Sequence, residues 1–476
     1  MKLSEYVEHD ATGLASLVTA GEVTTMELTQ LARQAHDEVN PSINAVIEFY
    51  KDAESVASKN AGLFNGVPFF RKDVGASEAG RLQENGSRLY KGYRANINSY
   101  FFHRAWEGGL RTLGRTATPE LATSGMTESI LNGITGNPWD LERSAGGSSG
   151  GAAAVVAAGI TPIAHGNDGG GSIRAPASWC GLVGLNPSRG RISGGPNQQD
   201  VSFGCTREFV LCRTVRDVAA ALDVFSGPHP GDPFMIVQPN RPYVEELSQP
   251  TGKLRVGVAR TKWGMADVEP EVLHAVESTA TLLEEMGHLV ADMEPLYKSE
   301  CSKIWLGSTG RRANSLEDAA RAMGRTISAD TLEPINLKLY EYGRNSQTRA
   351  GDEHEALRSM RFHVGEAIQD FDILLTPTMP TVALPHGSVY STANPTLSAE
   401  EFNEANAVLY QYTGVFNVTG QPSVSLPLAQ STNGLPIGIQ LVGRFGDEAT
   451  LVRVARDLEE ARPWIHRRPN VRAANG

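Results

Sequence analysis

Two glycine–serine segments carry residue types suited to acyl transfer. Residues 144–151 read SAGGSSGG, and residues 165–176 read HGNDGGGSIRAP, in which three glycines precede Ser172. Successive backbone N–H groups in such a stretch can point into one concavity, which holds an anion or the oxyanion of a tetrahedral intermediate. A serine at the mouth of that concavity can attack a carbonyl once a base removes the serine proton. A flexible surface loop is the ordinary alternative for such a run.

A histidine and a lysine are the candidates for the base that removes the serine proton. His165 lies close in sequence, at the end of a predicted strand, but a lone histidine more often has a structural role. Lys72 follows the apolar run Val67–Phe70 and is predicted to enter the interior on a strand. Burial disfavours the charged form of lysine and lowers its pKa, which is the condition for its use as a base. Most lysines are solvated surface residues, so the local pattern leaves both interpretations open.

Other chemistries find weaker support in the sequence. A phosphate-binding Walker loop ends in Gly-Lys-Ser or Gly-Lys-Thr, which does not follow these glycines, and the dinucleotide-binding pattern matches glycine clusters by chance. The cysteines form no CxxC pair and no cluster of zinc-ligand spacing with histidine. We therefore expect no metal and no cofactor. We interpret the four cysteines as reduced core thiols; they are Cys180, Cys205, Cys212 and Cys301.

The elements that must position these residues alternate along the chain. Thr24 and Glu27 form a capping box at the start of a predicted helix. The stretches NAVIEFY and AGITPIAHG read as strands, and the second leads into the glycine cluster around Ser172. Apolar strands that alternate with amphipathic helices predict an α/β protein. Residues 298–370 are polar with helical periodicity, and we predict that they form a peripheral helical excursion within a single domain of residues 1–476.

Composition argues against several classes of partner. The 476 residues are 40% hydrophobic and 20% charged, with a net charge of -11 and a pI of about 5.6. Nucleic acids and anionic membranes attract basic surfaces, so we expect neither as a partner. The first residues lack an apolar run, and the most apolar long stretch, residues 150–166, is short and contains glycine and proline. We therefore predict a cytoplasmic protein.

Three ordered motifs resemble those of the amidase signature family of serine hydrolases. They are GVPFFRKD at Gly66–Asp73, GGSSGG at Gly146–Gly151 and GNDGGGSIRAP at Gly166–Pro176. Ser172 follows Ser148 by 24 positions, which is the spacing in that family. The similarity continues through CGLVGLNPSRGRIS and the C-terminal apolar segments, so it covers nearly the whole chain. Within the family, the sequence looks most like the nylon-oligomer cyclic amide hydrolases and broad-specificity amidases.

The resemblance implies a catalytic role for three side chains. Ser172 would be the nucleophile, and Lys72 would be the base. Ser148 would carry the proton between them and would be held by a cis peptide bond after Gly147. Ser149 would have no part in this proton relay.

The resemblance also implies supporting and binding roles for nearby residues. Asp168 and Arg174 would support the glycine cluster. The oxyanion hole would consist of the backbone N–H groups of Gly169, Gly170, Gly171 and Ser172. The substrate contacts would come from the segment Thr118–Gly125, namely from Ala122, Thr123 and Ser124.

The fold and function implied by the resemblance are specific. The fold would be one α/β/α domain with a large mixed central sheet covered by helices on both faces. The activity would be hydrolysis of a small-molecule secondary or cyclic amide, anilide or carbamate, through an acyl-enzyme and without a metal or cofactor. Two alternatives stay open: the glutaminase subunit of a tRNA-dependent amidotransferase, and a non-catalytic binding protein on the same scaffold. Homodimers are common in the family, although nothing in the sequence marks an interface.

Overall fold

The structure is a computed structural model that describes residues 1–56, 59–260, 263, 267–296, 300–345 and 350–474, with the backbone alone at residues 300–303 and 350–352. Eleven of the fifteen strands in these ranges form one central sheet, and the other four form two small two-stranded sheets.

The helices and strands are numbered here in chain order. The strands are β1 (Val46–Phe49), β2 (Pro68–Lys72), β3 (Arg111–Thr116), β4 (Glu128–Ser129), β5 (Gly133–Ile134), β6 (Gly136–Asn137), β7 (Asp140–Ser144), β8 (Ile163–Asp168), β9 (Val183–Asn186), β10 (Arg207–Cys212), β11 (Arg255–Val258), β12 (Leu289–Asp292), β13 (Ile373–Pro377), β14 (Ser423–Gln430) and β15 (Pro436–Gly443). The α-helices are α1 (Leu3–Tyr6), α2 (Ala11–Ala20), α3 (Thr25–Ile43), α4 (Tyr100–Glu107), α5 (Gly150–Ala157), α6 (Arg174–Cys180), α7 (Val215–Phe225), α8 (Tyr243–Glu246), α9 (Pro270–Glu285), α10 (Glu300–Gly307), α11 (Thr309–Met323), α12 (Pro334–Asn345), α13 (Ala350–Ile368), α14 (Ala399–Leu409), α15 (Gly414–Thr419) and α16 (Glu448–Ala461).

The central sheet is mixed. Its strand order is β1-β3-β2-β8-β10-β9-β14-β15-β13-β11-β12. Strand β2 runs parallel to β3 and β8, and β11 runs parallel to β12 and β13, whereas all other neighbours are antiparallel. The predicted α/β class with a large mixed sheet and flanking helices is therefore confirmed.

Helix α5 packs closely on the middle of the sheet. All eight of its residues are buried glycines, alanines or valines, and the helix contacts β2, β8 and β10. At Gly151 a Cβ would lie 2.5 Å from the backbone N and O of Ala117, so only glycine allows this approach. Because α5 begins at Gly150, its packing fixes residues 145–149, which precede it, against the sheet.

The parallel pairing of β2 and β8 brings the two predicted reactive segments together. Phe69 lies opposite Ile163 in this pair, so both strands end at the same edge of the sheet. Lys72 is the last residue of β2, and Asp168 is the last residue of β8. The carboxyl ends of parallel strands are where α/β proteins place their ligand crevices.

Helices α10 to α13 occupy most of the predicted helical excursion at 298–370. Positions 298, 299 and 346–349 of that prediction lie outside the described residues. Leu316 and Ala320 of α11 form a small apolar cluster with Leu89 and Leu332, separate from the main core. The segment thus has packing of its own and also contributes to the cavity described below. A single domain spanning residues 1–476 stays a prediction.

Two further observations concern membranes and thiols. Within the described part of the chain, no helix is both long enough and apolar enough to cross a bilayer. Cys180, Cys205 and Cys212 are buried and form no disulfide, as the sequence predicts. The side chain of Cys301 lies outside the described residues.

Candidate active site

Ser172 follows a run of backbone N–H groups that have no protein acceptor. The chain leaves β8 after Asp168 and passes through residues 169–172 before α6 begins. In the described chain, the N–H groups of these four residues donate to no backbone or side-chain acceptor. Gly171 has a φ of 144°, and a Cβ there would lie 2.4 Å from Thr413 Oγ1 and 2.6 Å from the Tyr410 ring. The segment is thus a preformed concavity of donors that requires glycine at position 171.

A buried ion pair supports this concavity from behind. Asp168 and Arg174 are fully buried, and Arg174 Nη2 lies 2.9 Å from Asp168 Oδ1. Asp168 Oδ2 also accepts the N–H of Ile173 at 3.1 Å, which closes the turn after the glycines. Burial alone would raise the pKa of Asp168. The charge of Arg174 and the hydrogen bonds from Arg174 and Asn417 instead lower this pKa to about 2. The carboxylate is therefore ionised and hydrogen-bonds the turn that follows the glycines.

Ser148 lies opposite this concavity, in a loop whose preceding position, 147, accepts only glycine. The peptide bond between Gly147 and Ser148 is cis. A Cβ at Gly147 would lie 2.6 Å from the carbonyl oxygen of Ser124, so no larger residue fits. The carbonyl of Ser148 accepts a hydrogen bond of 3.0 Å from Thr118 Oγ1. The backbone around Ser148 is therefore fixed on both sides.

Lys72 is buried at the end of β2 among three oxygen atoms. Its Nζ lies 2.7 Å from Ser148 Oγ, 2.9 Å from Ser149 Oγ and 2.6 Å from Asn167 Oδ1. Burial lowers the pKa of Lys72 from 10.5 to about 7, although the negative charges of Glu208 and Asp168 oppose this change. About half of the lysine is therefore neutral near pH 7, as a general base requires.

The three contacts determine where the lone pair of neutral Lys72 points. A neutral amine has two N–H bonds and one lone pair. The carbonyl oxygen Asn167 Oδ1 can only accept, and Ser149 donates its own proton to the Asn167 carbonyl at 3.2 Å, so its Oγ also accepts. These two oxygens take both N–H bonds of the amine. The lone pair therefore faces Ser148, which can deliver its proton to it. Ser149 thus helps to orient the Lys72 amine, a contact that the sequence did not predict.

His165 is excluded as the base by its contacts. Its Nδ1 accepts the backbone N–H of Lys72 at 3.1 Å, and its Nε2 lies 2.7 Å from Glu208 Oε2. Because Nδ1 is an acceptor, Nε2 carries the proton and donates it to the carboxylate. Burial lowers the pKa of His165, although Glu208 opposes this effect. The imidazole thus links the backbone of the lysine strand to β10 and has no contact with Ser172.

The hydroxyl of Ser172 has Tyr410 as its partner. Tyr410 donates its proton to the carbonyl of Gly147 at 2.8 Å, so its oxygen accepts from Ser172. No hydrogen bond joins the hydroxyls of Ser148 and Ser172 in the described structure. A transfer of its proton to Ser148 would therefore require the Ser172 hydroxyl to rotate away from Tyr410.

A cavity of about 590 Å³ opens in front of these residues. Ser148, Ser172 and Asn167 line it, together with Gly169 and Gly170. No aspartate or glutamate lines the cavity in the described part of the chain, and its charged lining residue is Arg312. The amide side chains that line it are Gln83, Asn85, Asn96, Asn167, Asn197, Gln198, Asn403 and Asn406.

The predicted substrate contacts divide into two groups. Ala122 and Thr123 line the cavity. Ser124 does not, because its hydroxyl donates to the carbonyl of Tyr390 and accepts the N–H of Met126 at 2.9 Å. Its hydroxyl is paired within the protein, and a substrate contact at Ser124 stays a prediction.

The sequence did not predict three of the cavity residues, because they lie far along the chain from the recognised motifs. The Trp305 ring would lie 3.1 Å from a Cβ at Gly170 and so forms the wall over the glycines. Tyr410 meets Trp305 edge to face, with ring centroids 6.3 Å apart. Arg312 donates to Asn336 Oδ1 at 3.1 Å. None of them belongs to a motif, whereas Asn167 lies inside the recognised GNDGGGS stretch and could have been found there.

Comparison with known proteins gives consistent results. A family model described as Amidase matches residues 27–452. The 6-aminohexanoate-cyclic-dimer hydrolase of Paenarthrobacter ureafaciens is 37% identical over 477 residues, covering 97% of this chain and 96% of that protein. The acylamidase of Rhodococcus erythropolis is 30% identical, with 96% of each chain covered. A solved structure of 6-aminohexanoate cyclic dimer hydrolase complexed with substrate is similar at a TM-score of 0.89 and 35% identity, covering 98% of this chain and 99% of that one.

Proposed function

The chain belongs to the amidase signature family of hydrolases, which act on carbon–nitrogen bonds, and on that premise we propose that it hydrolyses a neutral secondary or cyclic amide through an acyl-enzyme on Ser172. The observation that carries this proposal is the environment of Lys72. Its amine is buried, its pKa is lowered to about 7, and its lone pair faces Ser148. A lysine in this state is a base rather than a structural cation.

The proposed reaction begins with proton transfer along the relay. Ser172 gives its proton to Ser148, which gives its own proton to Lys72 Nζ, while Ser172 Oγ bonds to the substrate carbonyl carbon. The carbonyl oxygen becomes an oxyanion held by the free N–H groups of residues 169–172. Collapse of the intermediate breaks the C–N bond, and the leaving nitrogen takes the proton from Lys72 through Ser148. Water, activated by the same relay, then releases the acid and restores Ser172.

The electrostatics of the cavity favour an uncharged substrate. No aspartate or glutamate lines the cavity among the described residues, so a substrate ammonium would lose its hydration without gaining a counter-ion. Amide side chains on the wall can donate to and accept from carbonyl and N–H groups instead. These features support amides, anilides and carbamates as the substrate class.

The same features argue against the two alternatives. Free glutamine carries an α-ammonium group, and an amidotransferase subunit must bind it, which this cavity lining does not support. A binding protein without catalysis would have no use for a buried lysine of lowered pKa aimed at a serine. The amidotransferase alternative also requires partner chains, whereas a stand-alone amidase does not.

The remaining expectations about partners and location form part of the proposal. The acidic net charge of -11 supports a protein that binds small molecules and no nucleic acid. Location in the cytoplasm and assembly as a homodimer are further parts of the proposal, the second by analogy with the family alone.

A substrate panel tests the proposed function. The purified protein is given glutamine, a primary amide, an anilide, an aryl carbamate, a cyclic diamide and a simple ester, and product is measured for each. We expect turnover of the anilide, carbamate or cyclic diamide, no turnover of glutamine, and loss of all turnover in Ser172→Ala. Ser16→Ala, which removes an exposed serine on α2, is the matched control and keeps full activity. Ammonia from glutamine alone would favour the amidotransferase, and binding without turnover of any compound would favour the non-catalytic alternative.

A further inference from the structure

Asn406 carries a buried acceptor atom that no protein group satisfies. The residue lies on α14, is 6% exposed and lines the cavity that contains Ser172. Its Nδ2 donates to the carbonyl of Phe402 at 3.1 Å, whereas its Oδ1 has no partner in the described structure. A carbonyl can only accept, so the amide nitrogen must face Phe402 and the orientation of the group is fixed. An unpaired buried acceptor destabilises the folded protein, and a donor from a ligand would relieve this cost.

The position of Asn406 relative to the nucleophile is also fixed. Asn406 and Tyr410 are four residues apart at the end of α14, so their side chains lie on one face, about 6 Å apart along the axis. Tyr410 is held to Gly147 by a hydrogen bond of 2.8 Å and also contacts Ser172. The acceptor oxygen therefore lies on the same cavity wall as Tyr410, one helical turn away from it, and belongs to a different element from the N–H groups of residues 169–172.

The surrounding wall indicates which donor fits. No carboxylate among the described lining residues could balance an ammonium group, so the donor must be uncharged. Trp305, Leu339 and Phe402 line the same cavity and provide apolar surface for a hydrocarbon spacer. A neutral N–H that follows such a spacer matches both the acceptor and the wall.

We propose that Asn406 Oδ1 binds a second N–H group of the substrate, separate from the scissile bond, and thereby selects diamides over monoamides of similar size. This proposal rests on the proposed function, because it names the substrate class of the same site. Asn406 contacts the substrate at a distance from the reacting atoms. Its contribution is to ground-state binding, so it acts on KM and on ligand affinity more than on kcat.

Ligand affinity tests the proposal without any need for turnover. Two pairs of anilides are compared by calorimetry on the Ser172→Ala protein. In the first pair the end of the acyl chain differs: one compound carries a secondary acetamide there, and the other carries the ester in which oxygen replaces that N–H. In the other pair the same groups stand on the aniline ring. We expect the amide to bind about tenfold more tightly than its ester in at least one pair, which corresponds to about 1.4 kcal/mol. Equal affinities within both pairs would overturn the proposal.

Two substitutions assign the preference to this side chain. Asn406→Leu on the Ser172→Ala background removes the acceptor at similar volume, and we expect the two affinities to converge within about twofold. Asn406→Asp retains an acceptor oxygen and is expected to keep the preference. A preference that survives Asn406→Leu would contradict the assignment. If Asn406→Leu does not fold, the ligand pairs on the Ser172→Ala protein alone decide. Failure of the proposed function would instead appear as absent turnover in the panel above, whatever the affinities.

Discussion

Lys72 Nζ lies 2.6 Å from Asn167 Oδ1, closer than it lies to either serine hydroxyl. Because this oxygen can only accept, it occupies one N–H of the lysine and helps to turn the lone pair towards Ser148. The amide is uncharged, so it orients the amine without stabilising its protonated form as a carboxylate would. The proposed relay therefore depends on a neutral neighbour at position 167.

The first prediction concerns the pH dependence of the unmodified enzyme. Lys72 must be neutral to accept a proton, and its pKa is lowered to about 7 by burial. We expect kcat/KM to rise with pH, with a midpoint near 7, and to reach a plateau above it. The measurement is a pH profile on a neutral anilide in buffers of constant ionic strength. A midpoint above pH 9 would contradict the assignment of Lys72 as the base.

Two substitutions should move that midpoint in opposite directions. Asn167→Asp places a carboxylate beside the lysine, and we expect the midpoint to rise by about one pH unit or more. Glu208→Gln removes a charge that raises the pKa of Lys72, so the midpoint should fall. Asn345→Asp, the same chemical change at an exposed position on α12, is the control and should leave the profile unchanged. Profiles that coincide for all three variants would show that another group titrates.

The glycine run predicts different outcomes at two of its positions. In Gly171→Ala the new Cβ would lie 2.4 Å from Thr413 Oγ1 at a φ of 144°. We expect displacement of the N–H donors and a loss of kcat of about 10²–10³. In Gly169→Ala the closest contact is Thr206 Oγ1 at 3.0 Å, so the loss should stay below about tenfold. Steady-state kinetics with a circular dichroism check on folding measure both, and equal losses would count against the assigned oxyanion hole.

The ion pair behind the nucleophile predicts a loss of stability. Asp168→Asn leaves the buried guanidinium of Arg174 without its counter-charge, which we expect to cost about 3–5 kcal/mol. The pKa of Asp168 is lowered from 3.8 to about 2 in the folded state, so its stabilisation is present above about pH 4 and is lost as the pH falls towards 2. Urea unfolding at several pH values measures the free energy of unfolding. The difference in this free energy between the parent protein and Asp168→Asn should become smaller as the pH falls from about 4 towards 2.

Tyr410→Phe separates the resting contact of the nucleophile from the relay itself. The substitution leaves the buried carbonyl of Gly147 without its donor, and we expect a loss of stability of about 1–3 kcal/mol. Ser172 loses an acceptor that competes with Ser148, so kcat should fall much less than in Ser148→Ala. Thermal unfolding and kcat on one substrate test both statements. A loss of kcat as large as that of Ser148→Ala would place Tyr410 in the proton pathway.

The fold class and the positions of several strands along the chain follow from patterns that are local in the sequence. The capping box of Thr24 and Glu27 forms as predicted, with Thr24 Oγ1 accepting the N–H of Glu27 at 3.1 Å. The predicted strand NAVIEFY contains β1, and the strand AGITPIAHG contains the first residues of β8. These elements depend on neighbouring residues, so periodicity and turn chemistry are enough to find them.

The cavity wall could not be predicted in the same way. Tyr410 and Asn406 line the same cavity as Ser172 only because the chain returns to the glycine run about half of its length later, and neither residue has a distinctive local pattern. The position of Ser124 away from the cavity lining has a related cause. Its neighbours Ala122 and Thr123 do line the cavity, but the direction of each side chain in that irregular segment depends on a left-handed backbone at Leu121 and Ala122. Such torsions are set by tertiary packing rather than by residue type.

The separation between the residues proposed to react and the walls of the cavity has a consequence for how this enzyme can change. Lys72, Ser148 and Ser172 stand on strands and loops of the central sheet, whereas Trp305, Arg312 and Asn406 come from helices outside it. A substitution on those helices can reshape what the site admits without moving the atoms that break the bond. We therefore expect single substitutions in α10, α11 and α14 to change which substrates the enzyme accepts. Variant libraries that aim at altered selectivity can be restricted to those helices.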